Sequence, residues 1–189
     1  MTPPTIAFAS RDDWAAWLED HHEETDGIWL QIAKKGSGAK SVSQREAVEV
    51  ALCFGWIDGQ AKPVDDACWL QRFTPRRARS RWSKINRDRA TALIERGEMR
   101  PAGLREIERA KADGRWDAAY DSPRTATVPG DLAAALDAEE GARAFFDGLD
   151  ATNRYAILHR VQEAKRPETR ARRIAKYAAM CAKGEKLHG

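Results

Sequence analysis

From Trp82 to the C-terminus the only recurrent pattern is helical, and every stretch that repeats with a period of two lies before it; this division constrains the fold most. Ile28, Leu30 and Ile32 alternate with Trp29, Gln31 and Ala33, the signature of a strand with one buried face. Residues 56–62 and 68–74, joined by a turn over 63–67, read as a hairpin. The expectation is an α+β, helix-dominated fold with a small antiparallel sheet of about three strands.

Helix starts and stops are explicit. Ser10, with Asp13 three residues on, opens a helix whose Trp14, Trp17 and Leu18 share one stripe. Ser43 and Glu46 form a capping box for the helix carrying Ala47, Val48, Ala51 and Leu52, and Gly55 stops it. Helices are predicted over 82–96, 101–113, 130–138, 140–148, 151–165 and 167–183, with Pro101, Pro129 and Pro167 in first turns and Gly97 and Gly114 at ends. Residues 121–130 are the longest irregular stretch. They divide an α+β region, 1–120, from a helical region, 121–189, the two expected to form one compact unit.

Charged residues make up 32% and hydrophobic ones 42%, the balance of an ordinary globular protein. No apolar run approaches the roughly 20 residues that span a bilayer, so no membrane insertion is expected. The N-terminal stretch lacks the pattern of a secretory leader, which predicts a cytoplasmic protein. Cys53, Cys68 and Cys181 are odd in number and widely spaced, as buried thiols would be. His21, His22, His159 and His188 show no metal-ligand spacing, and His21 and His22 are expected to be exposed. No metal, no cofactor motif, no P-loop and no nucleophile elbow is read here.

The charge is strongly polarised. Residues 1–66 carry six cations against twelve acids, a net −6; residues 72–89 reach +7 and residues 160–176 reach +5. The candidate ligand-binding residues are Trp56 and Asp58 ahead of the first basic block, Arg72, Arg76, Ser80, Trp82 and Asn86 within it, and Arg170 and Arg173 from the second. Arg72 shares strand parity with Cys68 and Leu70 and is expected to point inward, where a buried charge demands a partner; Asp58, paired with Arg72 or Arg76, would supply it. Asn86 lies on the stripe of Trp82, Ala90 and Leu93. Ser80 and Ser83 both suit the N-cap of the following helix, whose N-terminus would face anions among arginines.

The blocks ALCFGWIDG (51–59), QRFTPR (71–76), SRWSKIN (80–86), GEMRPAGL (97–104), AKADGRW (110–116) and AKRPETRARRI (164–174) resemble the YdeI/OmpD-associated family, small bacterial proteins labelled bacteriocin-protection proteins. The front half is also distantly similar to YjbR/CyaY-like domains, some of which are thought to contact DNA. The resemblance implies links to antimicrobial-peptide resistance, stress and an outer-membrane porin, without a defined biochemical activity. It points to Trp56, Asp58, Arg72, Pro75, Arg76, Ser80, Trp82, Asn86 and Arg170.

Several functions fit these residues. The first is a non-enzymatic binding protein for a phosphate- or carboxylate-bearing ligand held by Arg72, Arg76 and the helix near Ser80. The second is sequence-tolerant nucleic-acid binding through residues 72–89 and 160–176. An enzyme would use Asp58 as general base with arginines stabilising an oxyanion, but no second acid or nucleophile accompanies it. A scaffold for envelope proteins or cationic peptides would use the acids Glu19, Asp20, Glu23 and Glu24.

Overall fold

The computed structural model describes residues 2–188, which form two compact units, one ending at Ala119 and the other beginning at Tyr120. The first unit holds the sheet: β1 (Thr5–Ala7), β2 (Ile28–Ala33), β3 (Trp56–Pro63) and β4 (Cys68–Pro75), in the order β1-β2-β4-β3. Among the described residues the sheet therefore has four strands rather than three. The extra one, β1, has three residues, too short to show a period, and pairs parallel with β2. The remaining pairs are antiparallel, as the hairpin pattern requires.

Around the sheet lie α1 (Arg11–His21), α2 (Gln44–Cys53), α3 (Lys84–Glu95) and α4 (Pro101–Ala112). Their ends follow the cap chemistry: Ser10 and Ser43 accept from Asp13 and Glu46 N–H, and Ser83, not Ser80, caps α3 by accepting from Asn86 N–H. The core joins Trp14 and Leu18 of α1 and Ala47, Val48 and Leu52 of α2 to Ile28, Leu30, Ile32, Trp56 and Phe73 of the sheet.

The parity of β4 corrects one expectation. Ile28 pairs with Phe73 and Leu30 with Gln71, so Phe73 and Gln71 face the core, and Leu70 and Arg72 face away from it. Cys68, Leu70 and Arg72 had equal claim to the inner face from composition; pairing with β2 decides, because a shift of one residue exchanges the faces. The outer face is left with Trp29 and Gln31 of β2, Leu70, Arg72 and Thr74 of β4, and Ile57 and Lys62 of β3. Buried Gln71 serves the sheet itself, its amide donating to Gly59 O at 2.7 Å across the register shift between Asp58 and Ala61.

Two glycines mark close approaches. Gly27 enters β2 at φ 113°, and a Cβ there would lie 2.2 Å from Phe73 O. Gly103 seats α4 against the end of α2: its Cβ would be 2.4 Å from Cys53 O and 2.7 Å from Leu52 O.

The second unit contains α5 (Gly130–Ala138), α6 (Ala142–Asp147), α7 (Ala151–Gln162) and α8 (Pro167–Ala182). Leu132, Leu136, Phe146, Ile157, Val161, Ile174 and Tyr177 form its core. Cys53, Cys68 and Cys181 are buried free thiols, as the sequence suggested. No helix among the described residues is long and apolar enough to cross a membrane.

Candidate functional site

Trp56 and Arg76 meet because β3 leaves the α2 stop as β4 ends beside it: Arg76 N–H donates to Gly55 O at 2.9 Å. Trp56 is buried, its indole N–H donating to His22 O at 3.1 Å and its ring edge-on to Trp14 and Trp17. Both line a cleft of about 390 Å³ floored by Phe54, Trp56 and Pro75. Its rim carries Glu23, Glu24, Asp26 and Glu106 against Arg76 and Arg105. Glu23 is held by Arg105 at 2.8 Å, and Glu106 pairs with Arg109. His21 and His22, expected in the open, are half-buried: each ring Nδ1 lies 2.8 Å from the carbonyl four residues back, and His21 stacks on Trp17.

A second cluster of donors adjoins it through Arg76. Arg76 is 5% exposed, with its guanidinium 3.6 Å above the Trp82 ring and Nη1 donating to Arg81 O at 3.2 Å. Ser80 closes the intervening turn: its hydroxyl accepts from Arg77 N–H while its own N–H donates to Arg77 O. Ser80 O in turn accepts from Arg115 Nη1 at 2.7 Å. Arg115 also binds the Asp113 carboxylate through Nε, which holds the Asp113 carboxyl below its ordinary range. Trp116 meets Trp82 edge-on, ring centroids 4.9 Å apart. Trp82 Nε1 and Arg115 Nη2 are buried and have no hydrogen-bond partner among the described residues.

The remaining candidates are distributed as follows. Asn86 is half-buried in the first turn of α3, its side-chain oxygen 3.5 Å from Arg89 Nη1. Asp58 shares the face of Trp56 and Phe73, and no hydrogen bond or ion pair joins it to Arg72 or Arg76. Outward-facing Arg72 is satisfied by backbone, donating to Phe73 O at 3.3 Å and Asp26 O at 3.2 Å; partial burial lowers its pKa. In the second unit Arg170 grips Asp131 with both nitrogens, at 2.6 and 2.8 Å, and donates to Val161 O at the end of α7. Arg173 donates to Arg160 O beside it. These two arginines thus close a helix C-terminus whose carbonyls need donors.

Arg115 and Trp116 were absent from the candidates read from sequence. They follow Gly114, which reads as a helix stop, and only the pairing of Arg with Trp, repeated from Arg81 and Trp82, signals them. Asn153 was also missed: it is 4% exposed and binds Asp150, His188 O and His188 N–H, pinning the C-terminal segment. Among the described residues no group of three or more His, Cys, Asp or Glu is arranged to hold a metal.

A sheet-bearing unit with an arginine- and tryptophan-rich turn, followed by a four-helix unit capped by its own arginines, defines the class. The chain belongs to the family described as a domain of unknown function, DUF8412, which matches residues 6–106. Residues 125–184 match the family described as bacteriocin-protection, YdeI or OmpD-associated. The YdeI/OmpD relation therefore rests on the helical unit and its AKRPETRARRI block, whereas the blocks from 51 to 104 lie in the first match. No curated protein and no solved structure matches the chain.

Proposed function

We propose that this is a cytoplasmic binding protein for a small anionic ligand, phosphate- or carboxylate-bearing, received by the Arg76–Trp82–Arg115 cluster. One observation carries the reading: two buried N–H groups, Trp82 Nε1 and Arg115 Nη2, have no acceptor among the described residues, beside two guanidinium groups. Buried donors are ordinarily satisfied, and those left over cost roughly 1–3 kcal/mol each, which an incoming oxyanion recovers. Arginine suits such a ligand because its planar fork matches a carboxylate or phosphate. Protection against bacteriocins or related stress, the role named in the family description, would follow from occupancy of this site.

Isothermal titration with inorganic phosphate and with succinate tests the reading. Binding is expected in the wild type, weakened about tenfold or more in Arg115→Gln and in Trp82→Phe, which keeps an aromatic ring and removes the donor. Heat signals absent with both anions, or unchanged in both variants, would overturn it.

A further inference from the structure

The outer face of the sheet is chemically unlike the rest of the first unit. Trp29 and Leu70 lie outside the core cluster that α1 and α2 build on the opposite face. Trp29 is half-buried, with Lys62 Nζ 4.1 Å above its ring and the Arg72 guanidinium 5.9 Å away. Strand pairing gives this arrangement. Trp29 sits directly across from Arg72, and Lys62, paired with Leu70 on the neighbouring edge strand, reaches over β4 to the ring. Gly59 opens the space beside Arg72, whose Cβ and Cγ would be 3.7 and 3.8 Å from a Cβ there. Among the described strand residues, none of those on this face is Asp or Glu; Asp58 belongs to the other face.

We propose that this face binds single-stranded nucleic acid, Trp29 stacking on a base while Lys62 and Arg72 hold the flanking phosphates. An aromatic ring on an open sheet between two cations supplies the two interactions such strands use, stacking that tolerates any base and charge that follows the backbone. In the free protein the cations rest on the Trp29 ring. A phosphate draws Lys62 aside, and a base takes its place at the π face. Lys62 is exposed and moves at little cost; Arg72, fixed to Phe73 O and Asp26 O, sets the register. A folded protein ligand would find no apolar patch of adequate size here, because the cations interrupt Trp29, Leu70 and Thr74.

The test is fluorescence anisotropy of a labelled oligothymidine of roughly 15 nucleotides, a length that covers one such site. It uses the full chain, at about 50 and about 200 mM salt. Two phosphate contacts on a single strand predict a roughly sevenfold loss of affinity over that range. Trp29→Ala is expected to weaken binding about tenfold, Trp29→Phe to retain most of it, and Lys62→Gln to flatten the salt dependence. Retention in Trp29→Phe separates stacking from a folding defect, and Lys62→Gln alters only an exposed side chain. The proposal is overturned by absence of binding at low salt. It is equally overturned by binding that survives Trp29→Ala and Lys62→Gln but falls in Arg77→Gln/Arg79→Gln, which would assign the strand to the exposed basic turn.

Discussion

Replacing Gly103 by alanine tests how closely α4 must approach the end of α2. The added Cβ would lie 2.4 Å from Cys53 O, 2.5 Å from Met99 Sδ and 2.7 Å from Leu52 O. Methionine can turn away, but two carbonyls of a helix C-terminus cannot. To bring the nearest contact to 3.0 Å, α4 must retreat by roughly 0.6 Å, loosening the bond from Arg100 N–H to Cys53 O, 3.3 Å long. Overpacking a well-filled seam costs typically 1–3 kcal/mol, and the backbone obstacle puts this variant near the upper end, about 3 kcal/mol. For a unit of this size that lowers the melting temperature by about 10 °C. Tryptophan emission isolates the transition, since all seven tryptophans, from Trp14 to Trp116, belong to the first unit. Gly97→Ala is the control: its φ is 70° but nothing lies within 4 Å of the added atom, so only backbone strain of about 1 kcal/mol remains. A Gly103→Ala protein as stable as the Gly97→Ala one would refute the reasoning.

Other consequences concern both units. Arg170 holds the Asp131 carboxyl below its ordinary range, so the pair's contribution is full above the unfolded value of about 3.9 and is lost as pH falls through the lower folded value. The partners are partly exposed, so Arg170→Met should remove no more than about 1 kcal/mol at neutral pH, and acid unfolding followed by circular dichroism should show the difference closing below that range. Burial pushes the Cys53 thiol up to about 11. At pH 8 its thiolate fraction is then on the order of 10⁻³, and alkylation by iodoacetamide, read by mass spectrometry, should be roughly two orders of magnitude slower than for an ordinary cysteine. Asn153→Ala loses the bonds to Asp150 and both His188 backbone groups and should destabilise the second unit by about 2 kcal/mol. Hydrogen exchange should show faster exchange at His188 in that variant.

Helix positions were legible because their ends are written in local chemistry: Ser10, the Ser43–Glu46 box, Pro101 and Pro167 act within one turn of themselves. Sheet details depend on partners and were less legible. Three residues, Thr5–Ala7, become β1 only because β2 lies alongside, and the faces of β4 are chosen by Ile28 and Leu30 across the ladder. The expected inward Arg72 with an Asp58 partner failed for that reason, and Arg72 found backbone carbonyls instead. For the site, Arg76, Ser80 and Trp82 could be read from one dense stretch, and they do cluster. Arg115 was signalled only by its repeat of the Arg–Trp pairing, because its contact with Ser80 O spans 35 residues.

The proposed anion site rests on two buried donors, and the indole N–H resonances of the seven tryptophans report one of them directly. Trp82 is assigned by the signal that disappears in Trp82→Phe. On titration with inorganic phosphate at constant ionic strength, anion binding predicts a saturable downfield shift of the Trp82 signal, a smaller shift for Trp116, and little change for Trp14 and Trp56, whose indoles already donate to Ala47 O and His22 O. A Trp82 resonance that stays in place while phosphate reaches millimolar concentration, or that moves equally in Arg115→Gln, would contradict it.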